Sequence, residues 1–148
     1  MSDFYHLCFA VTDLDRATDE LSAVLGVTWN PARDGHLGDW DYRIVFSAGG
    51  PPFFEVIEGP PGSPWDATGG SHFHHIGYWA DDVHTGKHAL ARRGAPIEFD
   101  SCPYGRSFTY HRLPGLGARI ELVDVSVQPG FRETWSPAAA PMPTLDIP

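Results

Sequence analysis

Three of the chain's eight histidines crowd into "HFHH" at 72–75, and two glutamates stand where glutamates are costly. Glu55 lies inside "FFEVIEG" and Glu121 inside "RIELVDV", both apolar and β-branched runs. A carboxylate buried in such a run needs a partner. Strand alternation puts Glu55 on one face with Phe53 and Ile57, and Glu121 with Val123, so both glutamates read as inward-facing. His6 and His75 stand 49 and 46 positions before them, one pair in each half of the chain. Two imidazoles and two carboxylates, without thiolate, suit one divalent ion such as zinc, nickel, cobalt, manganese or ferrous iron. Six-coordination at such a site leaves two positions for water or substrate. His74 is the rival of His75. His36, His72, His84 and His88 read as solvated.

The elements that must position these four residues are written twice. "YHLCFAVTDLDRATDELSAVLG" and "HHIGYWADDVHTGKHALARRG" each run from a histidine through a strand-like stretch to an aspartate seven positions on, Asp13 or Asp82. Aligning the aspartates matches His75, not His74, to His6. A short carboxylate at that place caps a helix N-terminus. Leu14, Ala17, Leu21, Val24 and Leu25 have helical spacing, and Gly26 and Gly94 suit left-handed helix ends. Three strands should follow each helix: "VTWNPA", "DYRIVFSA" and "PFFEVIEG", then "PIEFDS", "SFTYHRL" and "ARIELVDVS". The expected division is a first βαβββ module at 1–60, a linker at 61–71, a second module at 72–126 and a Pro-rich tail at 127–148. That tail should pack loosely or extend, with Phe131 and Trp135 as its anchors.

Bulk properties narrow the partners. The 148 residues carry a formal charge of −9 and no basic run, which argues against nucleic acid and anionic membranes. No apolar run is long enough to span a bilayer, and the N-terminus has no secretory pattern. Cys8 and Cys102 are too few to staple a fold and read as reduced thiols in a cytoplasmic protein.

Together, "HLCFAVTDL", "HHIGYWADD" and "IELVD" resemble the vicinal oxygen chelate superfamily over residues 4 to 125. That superfamily includes glyoxalase I, methylmalonyl-CoA epimerase, extradiol dioxygenases and antibiotic-resistance proteins. The resemblance implies an α+β fold, two βαβββ modules whose mixed sheet forms a cup around a metal held by His6, Glu55, His75 and Glu121. It also implies a homodimer acting on a small molecule. "FFEVIEGPPGSPW" followed by "FHHIGYWADD" is most similar to the epimerase and glyoxalase I branch. Ala10 and Gly59 replace the Arg and Asn that hold glutathione in glyoxalase I, and Arg43 stands at or beside the epimerase's second base. The implied function is a metal-dependent isomerase, epimerase or lyase that stabilises an enolate. Glu121 is then the first choice of base and Glu55 the second. Arg43 is the expected anchor for a substrate carboxylate, and Trp79 and Tyr110, with Tyr42 and His111, are expected to line the cup. A metal-independent binder of the antibiotic-resistance type and a ferrous extradiol-type dioxygenase are the alternatives. The second uses one carboxylate fewer.

Overall fold

The computed structural model describes residues 3–148. The first strand, β1 (His6–Ala10), leads into α1 (Leu14–Leu25), and three strands follow: β2 (Arg33–Leu37), β3 (Trp40–Phe46) and β4 (Phe53–Glu58). The second half repeats the order as β5 (His72–Ala80), α2 (Val83–Arg92), β6 (Ile97–Asp100), β7 (Phe108–Leu113) and β8 (Ala118–Asp124). Two short 3-10 turns, Cys102–Tyr104 and Val125–Val127, and α3 (Gln128–Trp135) complete the elements. All eight strands join one sheet in the order β2-β3-β4-β1-β5-β8-β7-β6. Read outward from the centre, the two halves have the same order. β1 and β5 pair antiparallel in the middle, and each pairs parallel with the last strand of its own half. The fold is the expected glyoxalase-like α+β arrangement.

Both helices start as the sequence requires. Asp13 accepts from the Arg16 N–H and Asp82 from the His84 N–H, satisfying amides that the first turn leaves open. A second carboxylate ties each helix to its sheet. Glu58 accepts from the Leu14 N–H at 2.8 Å and Asp124 from the Val83 N–H at 2.9 Å. Each stands three residues beyond its half's inward glutamate. α1 ends at Gly26 with φ +70°, the expected left-handed cap, whereas α2 ends at Arg93, one residue before Gly94.

Two stretches depart from expectation. Residues 27–32 are not β2, which is formed instead by "RDGHL". Trp29 makes only an isolated bridge to Ser47, and its indole N–H reaches back to the Thr18 carbonyl and Ser22 hydroxyl of α1. The stretch straps the helix rather than extending the sheet. The tail does not pack loosely. Its residues 128–135 form α3, which sets Phe131 against Tyr5, Phe46, Phe53 and Trp79. Gln128 bonds the backbone of Met142 in both directions, and Trp135 and Met142 are buried. Among the described residues no helix is long and apolar enough to cross a membrane.

Candidate metal centre

The central antiparallel pair brings the two halves' donors together. β1 and β5 set His6 opposite Gly77 and His75 opposite Cys8. Their parallel partners supply the carboxylates: Glu55 lies beside Cys8, and Glu121 beside Gly77. All four side chains therefore project from one face of the sheet at its middle, where their donor atoms lie within 4.8 Å of one another. His6 Nε2 is 2.8 Å from His75 Nε2, 2.8 Å from Glu55 Oε2 and 3.1 Å from Glu121 Oε2. His75 Nε2 is 3.2 Å from Glu121 Oε2 and 3.6 Å from Glu55 Oε2. The imidazoles are fully buried, and Glu55 and Glu121 are 4% and 7% exposed.

These contacts fit a metal ion better than they fit one another. Protein nitrogens and carboxylates hold zinc at roughly 2.0–2.2 Å, which separates neighbouring ligands at right angles by about 3.0 Å. The observed separations bracket that value. Two Nε2 atoms face each other, while Glu121 Oε2 is buried without a well-directed hydrogen bond. Buried polar atoms are seldom left so. Without an ion the charges lean on each other. Burial alone lowers the His6 pKa, but the Glu55 and Glu121 carboxylates outweigh it and bring it up to about 9. His75 rises too, with burial opposing and Glu121 leading the increase. For Glu55 and Glu121 burial acts upward, and the imidazoles reverse it, holding both below the usual carboxylate range.

Room for the His6 ring comes from Gly77. A Cβ at that position would overlap the His6 ring at Cε1. Tyr5 meets the same ring edge-on at 4.3 Å and stacks on Trp79, while Phe46 closes another side. The His75 ring is held differently. The β1–β5 register pairs Cys8 with His75 but Phe9 with Phe73, so His74 is an extra residue in β5. Such a bulge re-aims side chains, and here both adjacent histidines are buried beside Tyr110. His74 Nδ1 lies 2.8 Å from His75 Nδ1, and its Nε2 lies 2.7 Å from the Pro64 carbonyl. Burial, then the neighbouring His75 and Arg119, lower the His74 pKa to about 3, so the ring is neutral.

The remaining expected site residues divide. Tyr110 lies at the centre, its hydroxyl accepting from the Trp65 indole N–H at 2.8 Å. Tyr42 shares that side and packs on Trp65. Trp79 lies on the donor face but is covered by Tyr5 and Phe131, so it forms core rather than an open wall. Arg43 points to the opposite face, with α1, where Asp15 and Asp34 lie 3.5 and 3.8 Å away. His111 also faces away from the cup and bonds Thr109 and the Ala95 carbonyl. On the donor face the nearer guanidinium is Arg119, two residues before Glu121. It pairs with Glu98 through two hydrogen bonds at 2.8 and 2.9 Å. Arg119, Glu98, Trp40, Phe99, Pro64 and Tyr110 wall a cleft of about 180 Å³. A signal for His74 was present in the His-His doublet, because burying both on one face requires a bulge. Arg119 gave none.

The family model described as the Glyoxalase/Bleomycin resistance protein/Dioxygenase superfamily matches residues 5–110. Comparison with proteins of curated function finds no match. Among solved structures, the chain is similar to a variant of Streptomyces coelicolor methylmalonyl-CoA epimerase in complex with 2-nitronate-propionyl-CoA. The TM-score is 0.62 at 19% identity, covering 84% of this chain and 97% of that one. Methylmalonyl-CoA epimerase from Mycobacterium tuberculosis matches with a TM-score of 0.58 at 17% identity, over 82% and 86%. A mutant of 4-hydroxymandelate synthase from Streptomyces coelicolor gives 0.60 at 14%, over 83% of this chain and 48% of that one. At these identities the likeness shows the fold alone.

Proposed function

From the premise that this chain belongs to the Glyoxalase/Bleomycin resistance protein/Dioxygenase superfamily, we propose a metal-dependent isomerase, epimerase or lyase acting on a small carbonyl or acyl substrate. The observation that carries the reading is the convergence of His6, Glu55, His75 and Glu121, with Glu121 Oε2 buried and undirected. A divalent ion held by these four would act as a Lewis acid toward two neighbouring substrate oxygens, stabilising the charge left when an α-proton departs. The proton needs an acceptor in reach, and the chain offers two carboxylates. Glu121 is the first choice, a carboxylate that would leave the ion to take the proton: its Oε2 stands 3.1 and 3.2 Å from the two imidazoles, whereas Glu55, the second choice, is held 2.8 Å from His6. The carboxylate takes the α-proton and returns it to the same carbon or to a neighbouring one.

The donors are closed over in this structure, so substrate entry requires an element to move. The Trp40–Phe99–Tyr110 cleft is the proposed approach, since the Tyr110 ring separates it from His75. Arg119 at its edge takes the role expected of Arg43: its fork matches a carboxylate and already grips that of Glu98. The epimerases of similar fold, one solved with an acyl-CoA analogue, support acyl thioesters as the first substrates to try. The proposal includes a homodimer in the cytoplasm, the compartment being supported by two unpaired cysteines.

The test is α-proton exchange in deuterated water, using zinc-, nickel-, cobalt- and manganese-loaded protein with 2-oxo, 2-hydroxy and acyl thioester substrates. Exchange that depends on metal and falls at least about a hundredfold in Glu121→Gln, the range of a lost general base, is the expected result. Exchange indifferent to metal, or oxygen uptake by the iron-loaded protein in its place, overturns the proposal.

A further inference from the structure

The contacts of His74 assign a direction to every proton between the linker and the donor cluster. The Pro64 carbonyl can only accept, so His74 Nε2, 2.7 Å away, must carry the N–H that donates to it. Pro64 and His75 are the polar partners of His74 among the described residues, no carboxylate pairs with it, and a ring that carries its one proton at Nε2 has a bare Nδ1. His75 Nδ1 lies 2.8 Å from that atom, and two bare nitrogens at this distance would repel, so His75 Nδ1 carries the proton between them. The other nitrogen of His75, Nε2, faces His6, Glu55 and Glu121. With Nδ1 holding its proton, Nε2 is the atom whose lone pair is free for an ion.

We infer that His74 is a positioning residue: it passes the polarity of the Pro64 carbonyl to His75, fixing the tautomer and ring orientation that present Nε2 to the metal. The inference rests on the metal-site reading above and deepens it. A ligating imidazole is oriented by the partner of its outer nitrogen, and in most sites that partner is a carboxylate, a carbonyl or water. Here a second histidine stands between carbonyl and ligand. The bulge at His74 makes this possible, because in an unbroken strand adjacent side chains would point to opposite faces. The linker completes the clamp. One residue beyond Pro64, Trp65 donates to the Tyr110 hydroxyl, and the Tyr110 ring lies against both histidines at 5.0 and 4.9 Å. Orientation of the second half's ligand therefore depends on the segment that joins the halves. Among the described residues His6 has no such partner, since its Nδ1 is buried and unbonded.

Two measurements test this, and the first needs no metal. Imidazole nitrogen-15 NMR of the metal-free full-length protein reads the proton on each nitrogen. The expected pattern is a protonated Nδ1 in His75, and in His74 a protonated Nε2 with a bare Nδ1. A bare His75 Nδ1, or a proton on His74 Nδ1, overturns the inference whether or not the protein binds metal. The second measurement is zinc affinity by competition with a chelator, comparing His74→Asn, whose amide oxygen can still accept near the Nδ1 position, with His74→Leu. Loss of roughly 10–100-fold in His74→Leu is the scale of a lost outer partner, and His74→Asn should recover most of it. Equal loss in both variants marks mere space-filling, and no loss in His74→Leu marks no role; each contradicts the inference. A wild-type protein that binds no zinc while showing the expected protons would overturn the metal reading and leave the tautomer chain standing.

Discussion

His6 and His75 occupy equivalent places in the two halves, yet the neighbours that hold their rings have little in common. Around His6 the control is steric: Gly77 leaves space, and Tyr5 and Phe46 meet the ring edge-on. Around His75 it is polar: a neighbouring imidazole and a linker carbonyl fix the outer nitrogen. The residue facing each ring across the central pair differs accordingly, being Gly77 opposite His6 and Cys8 opposite His75. Repetition of the βαβββ unit thus preserved the donors and their register but not their surroundings. What must match between the halves is where the lone pairs point, and packing or hydrogen bonding can each achieve that.

The sharpest way to break the comparison is to alter the two facing residues in turn. Gly77→Ala places a methyl group on the His6 ring and should displace it. Zinc affinity should fall beyond the roughly 100-fold that bounds loss of an outer partner, with about 1–3 kcal/mol of stability lost to overpacking. Cys8→Ala at the facing position opens a small cavity instead and keeps all four ligands and His74, removing only a thiol contact to Glu55. Its zinc affinity should stay within about threefold of wild type, well short of the loss that follows when a ligand's support is removed. Chelator competition and denaturant unfolding check both. Equal effects of the two substitutions would show that the halves are held alike.

A smaller effect contrasts the two closures of the cup. The α3 side is apolar and built on Phe131, so Phe131→Ala should cost about 3 kcal/mol, the low end for a buried phenylalanine because this one is only partly buried. Its metal affinity should change less than that of His74→Leu, because no ligand bonds to α3. Urea unfolding and chelator competition on the same two variants decide the point.

The smallest expected effect concerns the helix ties. Asp124 sits below the ordinary carboxyl range: burial raises it, and bonds from Ser126 and Val83 more than offset that. A lowered folded-state pKa means its contribution is present above the unfolded value near 4 and is lost as pH falls below it. Asp124→Asn, which keeps one of the two acceptor oxygens, should cost about 1 kcal/mol at pH 7, the net worth of one hydrogen bond. The difference from wild type should shrink toward pH 3, as followed by urea unfolding at the two pH values.

Much of this was legible beforehand because the repeat supplies its own check. A histidine, an aspartate cap and an inward glutamate recurring in register point to the repeated element order and to the four side chains that the structure brings together. The surroundings were harder to read. "RDGHL" has no alternating apolar pattern, since β2 is an edge strand that among the described residues pairs only with β3, and "VTWNPA" carries the more strand-like composition. The place of Arg43 in its strand does not by itself say which face the residue takes. Pairing with Glu58, the neighbour of inward Ile57, sends it outward to Asp15. The tail's prolines suggested extension, while Phe131 and Trp135, correctly suspected as anchors, supply enough apolar surface to fold it onto the body.

The most direct test of the central claim is calorimetric titration of the metal-free protein with zinc, beside His75→Ala and Glu121→Gln. The four-donor site predicts one ion per chain. It also predicts proton release at pH 7, because the His6 imidazole, with its pKa near 9, must give up its proton to bind. Both variants should bind far more weakly. No binding of zinc, nickel, cobalt or manganese, or binding unchanged in the two variants, would contradict it.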